Sequence, residues 1–168
     1  YSPIEVRWPK RTGEHLKNGA IGQLITLLRE SKKPMLYVGG GVIRSQAEEE
    51  LAEFIEKIDA PLGVSLMGNG AIDSNSERFT GMIGMHGTRL SNIAVNNCDL
   101  LLVIGARFSD RVVSKASAFA KRAKIVHIDV DPAEINKNIS TYYHVIGDSK
   151  VILSKVNAQL SEPILHTE

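Results

Sequence analysis

Residues 100–111 read LLLVIGARFSDR, and this stretch decides the fold class. Leu100–Ile104 is an uninterrupted apolar run, which is typical of a strand in a parallel sheet covered on both faces. Gly105 ends the run, and charged residues follow. Ligands of such sheets bind beyond the carboxyl ends of the strands. We therefore expect Arg107 and Arg111 to lie where a phosphate or carboxylate binds, since guanidinium matches both anions.

Composition excludes several classes of protein. The 168 residues suit one domain, and 20 Lys+Arg against 19 Asp+Glu give no basic field for nucleic acid. Cys98 is the only cysteine, which excludes a disulfide framework and a cysteine-based zinc cluster; we interpret it as a buried apolar residue. No apolar stretch reaches the roughly 18 residues of a membrane span, and residues 1–10 hold no signal-peptide core. We expect a cytoplasmic protein without nucleic-acid or membrane partners.

Helical and strand patterns alternate along the chain, as in βαβ units. The patterns predict helices at 13–31, 46–58, 88–95 and 148–160, with a further helical stretch at 113–121. They predict strands at 35–38, 62–65, 80–83, 100–104, 123–128 and 145–146. The expected fold is a three-layer, doubly wound α/β sheet of about six parallel strands with helices on both faces, a Rossmann-like, DHS-like nucleotide-binding domain. It would occupy residues 13–160, between a linker at 1–12 and a tail at 161–168.

Glycine and polar residues cluster at the carboxyl end of every predicted strand. The clusters are 39–41 (GGG), 65–68 (SLMG), 84–87 (GMHG), 105–111 (GARFSDR), 129–130 (DV) and 147–149 (GDS). Random placement would scatter them over both edges of the sheet, so the distribution favours an elongated ligand in the crevice rather than a bare scaffold. The glycines permit either a tight turn or close approach to a phosphate. They lack the G-x-G-x-x-G spacing, which weighs against a nicotinamide dehydrogenase.

Three charged residues have specific predicted roles at these strand ends. Asp129 is placed to accept hydrogen bonds from ribose hydroxyls. Arg107 is placed to hold a pyrophosphate, and Asp110 to orient an arginine by pairing, against the alternative of a weak surface salt bridge.

The remaining histidines and acids favour structural roles. His86, without a nucleophile nearby, favours a structural role over a catalytic one, and His127 is expected to face the core. Neither has metal-ligand spacing to another residue, so no metal is predicted. Asp131 starts a capping-box pattern with proline at the first helical position, and Asp148 is placed to cap the last helix.

Five of these motifs, taken in order, carry a family resemblance. KPMLYVGGG (33–41), SLMG (65–68), GMHG (84–87), GARFSDR (105–111) and HIDVD (127–131) closely resemble the central domain of acetohydroxyacid (acetolactate) synthase catalytic subunits. These are thiamine-diphosphate enzymes of branched-chain amino-acid biosynthesis. The resemblance covers residues 1–160 and implies that this domain carries FAD, which such enzymes require without net redox chemistry.

The resemblance also implies which residues contact the cofactor and the substrate. The implied FAD contacts are Gly39, Gly40, Ser65, Leu66, Ile83, Gly84, Met85, His86, Gly105, Ala106, Arg107, Phe108, Ser109, Asp129, Val130, Asp148 and Ser149. Arg111, beside Asp110, would recognise the carboxylate of the second 2-oxo acid, with Met85 lining the same region. The family commonly has threonine, valine and aspartate where Ser65, Ala106 and Ser109 stand, and Ser109 loses a charge.

Other parts of the family's machinery are not found in this sequence. The catalytic glutamate belongs to a preceding domain, and the Gly-Asp-Gly…Asn motif for thiamine diphosphate and Mg²⁺ to a following one. The resemblance therefore implies one domain of a three-domain subunit that condenses two pyruvates to acetolactate. It also implies a homodimer or tetramer of large subunits and a small regulatory subunit. We expect the isolated chain to be inactive and to contain no catalytic residue of its own.

Two alternatives stay open at this point. One is the central domain of another thiamine-diphosphate enzyme, such as a 2-oxo-acid oxidase, decarboxylase or glyoxylate carboligase. The other is a stand-alone, non-catalytic nucleotide-binding module.

Overall fold

The computed structural model describes residues 16, 19–113 and 116–166. Six strands form one parallel sheet in the order β3-β2-β1-β4-β5-β6. Their bounds are β1 Pro34–Val38, β2 Leu62–Val64, β3 Phe79–Met82, β4 Leu100–Ile104, β5 Lys124–Asp129 and β6 Tyr143–Ile146. This is the doubly wound order, and it reverses between β1 and β4. The predicted α/β fold class is confirmed.

Five helices accompany these strands within the described residues. They are α1 Ala20–Glu30, α2 Gly40–Arg44, α3 Glu48–Ile58, α4 Arg89–Asn97 and α5 Ser149–Gln159. Single 3₁₀ turns lie at Leu66–Gly68, Ala116–Ala118 and Pro132–Glu134. None of the helices in the described part of the chain is long and apolar enough to cross a membrane.

The two central strands set the geometry of the candidate site. β1 and β4 pair from Pro34 opposite Leu100 to Val38 opposite Ile104, and every residue of both strands is buried. Strands buried on both faces read as continuous apolar runs, which explains the composition of both segments. Because the strands are parallel and end at the same level, the loops that follow them start side by side.

Two apolar layers cover the sheet. On one face, Leu36, Val38, Leu102 and Ile104 pack with buried residues of α1, α3 and α5. On the other face, Tyr37 and Val103 pack with α4 and with buried residues of segments 106–113 and 116–120. The second outer layer therefore consists of one helix and a wrapped loop. His127 is fully buried in this layer, as its position inside a strand predicts.

Cys98 lies at the end of α4 and is 3% exposed. Burial, followed by the nearby charge of Asp99, raises the pKa of its thiol to about 12. The thiol therefore stays protonated and unreactive near neutral pH, and the interpretation as a buried apolar residue is confirmed.

The helices differ from the sequence predictions in three places. Helix α1 begins at Ala20 rather than at residue 13; residues 13–15, 17 and 18 lie outside the described residues. Helix α2, which the sequence patterns do not predict, follows β1 directly, and Gly40 and Gly41 form its first turn. Segment 113–121 contains only the 3₁₀ turn Ala116–Ala118, with 114 and 115 not described. Ala120 has φ 43°, which no α-helix accommodates.

The predicted caps form, but one of them starts a shorter element. Asp148 Oδ1 accepts hydrogen bonds from the N–H groups of Lys150 and Val151 at the start of α5. Asp131 Oδ1 accepts one from Ala133 at 2.9 Å. Only a 3₁₀ turn follows Asp131, because Ile135 returns to an extended conformation.

The predicted domain boundaries at residues 12 and 160 stay predictions. Residues 1–12 lie outside the described residues. In the predicted tail, the Ile164 N–H donates to the Lys57 carbonyl at 2.7 Å, which ties that part of the chain to α3.

Candidate functional site

The loops after β1 and β4 are in direct backbone contact at glycine residues. The Gly39 N–H donates to the Ile104 carbonyl and the Gly41 N–H to the Gly105 carbonyl, each at 2.9 Å. A Cβ on Gly39 would overlap backbone atoms of Gly105 and Ala106, and one on Gly41 would lie 2.6 Å from Gly105 Cα. The glycines therefore allow two loops to pack backbone to backbone at the point where the strand order reverses.

A cleft of about 290 Å³ opens beside these loops, above the ends of β5 and β6. Its lining residues are Gly41, Arg44, Ser45, Gly105, Arg107, Asp129, Val130, Asp131, Asp148 and Ser149. Six of them are predicted cofactor-binding residues: Gly105, Arg107, Asp129, Val130, Asp148 and Ser149. The other four are Gly41, which belongs to the predicted 39–41 cluster, Asp131, which the sequence indicates as a helix cap, and Arg44 and Ser45, which the sequence analysis did not identify. Arg44 and Ser45 lie at the end of α2, which the sequence patterns did not predict. Recognising a helix that starts at the glycine run would have placed both residues at the cleft.

Asp129 ends β5 and is 8% exposed. One carboxylate oxygen accepts a hydrogen bond from the Asp131 N–H at 2.9 Å, and the other lies 3.6 Å from His127 Nε2. Burial alone would raise the pKa of Asp129, but hydrogen bonds from His127 and the backbone, together with the charge of His127, hold this pKa below its ordinary value. An ionised carboxylate here can accept hydrogen bonds from hydroxyl groups of a ligand.

Arg107 has an acidic partner that the sequence did not reveal. Its side chain is 66% exposed, and Nε lies 3.5 Å from Glu134 Oε1. Glu134 is itself 9% exposed and also pairs with Lys137 Nζ at 3.0 Å. The predicted pairing of Asp110 with an arginine is not found: among described residues, no ion pair includes Asp110. The guanidinium is thus held from one side while most of it stays open to solvent.

The loop after β3 meets the segment around Arg111. Gly84 has φ 106°, and the Met85 N–H donates to the Arg111 carbonyl at 2.9 Å. Asn92 of α4 holds both the N–H and the carbonyl of Gly84 at 3.0 Å. The backbones of Met85 and Arg111 are therefore adjacent, and the substrate-side role of these two residues stays a prediction. His86 and Asp110 are also exposed at this edge.

Apolar side chains are exposed at the carboxyl edge of the sheet. Leu66, Met67 and Met85 are 66%, 74% and 66% exposed. The Ser65 hydroxyl caps the 3₁₀ turn that carries Leu66 and Met67 by accepting from the Gly68 N–H at 3.1 Å. Exposed large apolar residues at the edge of the sheet where ligands bind are suited to contact a flat apolar ligand.

Three predicted cofactor-binding residues point their side chains into the core. Ile83, Ala106 and Phe108 are 3%, 2% and 4% exposed. The ring of Phe108 packs edge-on against His127, with centroids 5.3 Å apart. At these three positions the whole residue, backbone included, is almost fully buried.

Within residues 16, 19–113 and 116–166, no group of three or more His, Cys, Asp and Glu side chains is arranged to hold a metal ion. The site combines a buried carboxylate, an open guanidinium and exposed apolar side chains along one edge of the sheet. This arrangement suits an elongated ligand with hydroxyl, anionic and flat apolar parts.

Comparison with known proteins gives the context of this site. A candidate thiamin diphosphate-dependent enzyme from Mycobacterium smegmatis has an X-ray structure that matches with a TM-score of 0.75 and 22% identity, over 90% of this chain and 29% of that chain. This likeness concerns the fold alone.

Curated relatives are more similar in sequence. Acetolactate synthase 3, chloroplastic, of Brassica napus is 50% identical over 83% of this chain and 21% of its own length. The acetolactate synthase large subunit of Cyanidium caldarium is 44% identical over 81% of this chain and 23% of its own length. The chain thus spans less than a quarter of the length of these relatives.

A family model described as "Thiamine pyrophosphate enzyme, central domain" matches residues 21–156. That range contains all six strands of the sheet and nearly all of the five helices. The chain therefore belongs to the family of thiamine pyrophosphate enzyme central domains.

Proposed function

We propose that this chain is the central domain of an acetolactate synthase large subunit and that it binds FAD in a structural, non-redox role. The observation that carries the proposal is the cleft at the reversal of strand order, where Asp129 and Arg107 line one continuous surface. Relatives that are 44% and 50% identical and named acetolactate synthases support the choice within the family.

The residues present suit each part of this dinucleotide. Asp129, with Val130 and Asp148 nearby in the cleft, would accept from ribose hydroxyls, as carboxylates do at such strand ends. Arg107 would neutralise the diphosphate. Leu66 and Met85 offer exposed apolar contacts for the flat ring system. Bound FAD would supply no net electron transfer here and would complete the surface of the site.

The substrate side is assigned to the adjacent loop. Arg111 is exposed beside Met85, and a guanidinium there would bind the carboxylate of a 2-oxo acid. Asp110 is the neighbouring exposed acid. In this proposal, other domains of the large subunit hold thiamine diphosphate and Mg²⁺, which supply the carbanion chemistry that joins two pyruvates. Assembly into a homodimer or tetramer with a small regulatory subunit, and a cytoplasmic location, belong to the same proposal.

Titration of the chain with FAD, followed by flavin fluorescence, tests this function. We expect saturable binding that Arg107→Ala weakens about tenfold, because a charge-assisted contact is lost. Arg29→Ala is the matched control, since Arg29 is an exposed arginine on α1, away from the cleft. Absence of FAD binding by the unchanged chain, or equal affinity of the two variants, would contradict the proposal.

A further inference from the structure

Asn69 and Gly70 form the tip of an exposed turn that follows β2. Asn69 has φ −58° and ψ 130°, and Gly70 has φ 92°, as in the two central residues of a type II β-turn. The Ala71 N–H donates to the Gly68 carbonyl at 3.0 Å and closes the turn. Both tip residues are exposed, and no described atom lies within 4 Å of a Cβ built on Gly70. The tip is therefore open to solvent.

The side chain of Asn69 differs from those of the other asparagines. In the part of the chain that the structure describes, Asn69 is the one asparagine that precedes a glycine and the one whose side chain makes no hydrogen bond. A side-chain hydrogen bond holds each of the others, Asn75, Asn92, Asn96, Asn97, Asn136, Asn138 and Asn157. The Gly70 N–H also has no partner among the described residues. The Asn69 amide and the Gly70 nitrogen are therefore both free to react.

These two groups are the reactants of asparagine deamidation. A base removes the proton of the Gly70 N–H, and the nitrogen attacks Asn69 Cγ. The new bond closes a five-membered imide ring, and the bond from Cγ to Nδ2 breaks and releases ammonia. Water then opens the ring. Cleavage between the ring nitrogen and Cγ gives aspartate, whereas cleavage between this nitrogen and the main-chain carbonyl carbon gives isoaspartate.

The turn offers little resistance to this ring closure. The Asn69 ψ must rotate away from 130° to bring the Gly70 nitrogen to Cγ. Among the described residues, one backbone hydrogen bond, from Ala71 to Gly68, closes the turn, and a single hydrogen bond contributes only modestly to stability. Gly70 has no Cβ to shield its nitrogen or to restrict the rotation.

We propose that Asn69 is a site of spontaneous deamidation and that the isoaspartate product disrupts the turn from Gly68 to Ala71. Isoaspartate adds one methylene to the backbone between the Gly68 carbonyl and the Ala71 N–H, which separates this hydrogen-bonded pair. Ala71 is 3% exposed and packs in the core. Gly68 packs closely against the carbonyl of Val38, at the start of the loop that borders the candidate site. The inference does not depend on the proposed function.

Peptide mapping by mass spectrometry tests the site. After incubation in warm, mildly alkaline buffer, the tryptic peptide 58–78 should gain about 1 Da, and fragment ions should place the gain at Asn69. An isoaspartyl methyltransferase should methylate this peptide. Asn69→Gln should lose both signals, because glutamine would have to close a less favourable six-membered ring. Asn75→Gln is the matched control in the same peptide and should keep both.

A second Asn-Gly pair requires its own control. Asn18 precedes Gly19 in the sequence, and Asn18 lies outside the described residues. It falls in the tryptic peptide 18–29, so the map measures the two positions separately. Stability measurements use chains that carry Asn18→Gln, so that deamidation at residue 18 contributes nothing.

Urea unfolding tests the effect on the turn. We expect the incubated chain to have a lower urea midpoint than the fresh chain, and incubated Asn69→Gln to keep its fresh midpoint. Fresh Asn69→Asp carries the new charge without the added methylene and should unfold close to the unchanged chain.

The outcomes separate the two parts of the proposal. If Asn69 gains no mass, or if another described asparagine gains mass first, Asn69 is not the deamidation site. If Asn69 converts to isoaspartate and the urea midpoint stays unchanged, the disruption of the turn is overturned. If Asn69→Asp lowers the midpoint as much as incubation does, the charge rather than the added methylene is responsible, which also overturns that part.

Discussion

Gly39 and Gly22 are two glycines in opposite surroundings. A Cβ at Gly39 would overlap backbone atoms of Gly105 and Ala106, whereas nothing lies within 4 Å of one at Gly22. We expect Gly39→Ala to destabilise the fold by about 2 kcal/mol, because backbone cannot yield as a side chain does. Gly22→Ala, inside α1, should stabilise it by about 0.5–1 kcal/mol. Urea unfolding measures both; equal midpoints would show that the β1 and β4 loops can separate without cost.

Local signals predicted some individual residues well, and distant contacts stayed hidden. Asp148 and its cap follow from residue type and position alone. The burial of His127 follows from its position within an apolar strand. The pairing of Arg107 with Glu134 joins two loops that belong to different strands. No spacing rule connects such positions, so the sequence indicated the nearer Asp110 instead.

Thr88 caps a helix, whereas Thr26 lies on the exposed face of another helix. Thr88 caps α4 by accepting from the Ser91 N–H, and its hydroxyl also donates to the Thr80 carbonyl of β3 at 2.6 Å. Thr88→Ala should therefore cost about 1 kcal/mol or slightly more. Thr26 lies on the exposed face of α1. Thr26→Ala should raise the free energy of unfolding by only a few tenths of a kcal/mol, because alanine has the higher helix propensity. Thermal unfolding of the two variants tests the difference; a matching loss in both would exclude the capping role.

Asp99 joins the start of β4 to the turn between α1 and β1. Its carboxylate accepts hydrogen bonds from the Ser31 hydroxyl and from the N–H groups of Lys32 and Lys33 at 2.7 and 3.0 Å. Burial alone would raise the pKa of Asp99, but these hydrogen bonds outweigh it and lower this pKa from its ordinary value of 3.8. The resulting stabilisation is present above that value and is lost as pH falls through the lower pKa of the folded state.

The expected result is that Asp99→Asn is less stable than the unchanged chain at about pH 7, and that this gap narrows at about pH 3. Asp110→Asn is the control, because Asp110 is exposed and has no hydrogen bond or ion pair among the described residues. Urea midpoints at both pH values provide the measurement. A gap that widens on acidification would contradict the assigned direction of the pKa shift.

Most helices and strands were predictable because the spacing of their apolar residues reflects which of their faces are buried. β4 spans Leu100–Ile104, with the predicted bounds, since an apolar run buried on both faces has one interpretation as a strand. Helix α2 was missed because glycine is unfavourable inside helices. Here Gly41 is needed in the helix because a Cβ at this position would overlap Gly105. The sequence of 113–121 has helix-forming residues, but Val113 and Ala120 are both buried against the sheet, and Ala120 has a positive φ that an α-helix does not allow.

At the scale of the whole molecule, we expect the chain alone to make no acetolactate from pyruvate with thiamine diphosphate and Mg²⁺. The sequence holds no Gly-Asp-Gly…Asn motif, and the chain spans less than a quarter of the length of the Brassica napus and Cyanidium caldarium relatives. A colorimetric assay of acetoin derived from acetolactate measures this, with a complete large subunit as positive control. Product formation by the pure chain would contradict the expectation.

The pairing of β1 with β4 at the centre of the sheet also governs the order in which the protein folds. β1 and β2 are near each other along the chain and close a short loop, while β4 must arrive after a long intervening segment, at a higher entropic cost. During synthesis, the edge of β1 that pairs with β4 therefore stays unpaired until residues 100–104 leave the ribosome. That unpaired edge presents backbone N–H and C=O groups on a strand of apolar residues, and we expect a partly made chain to aggregate there.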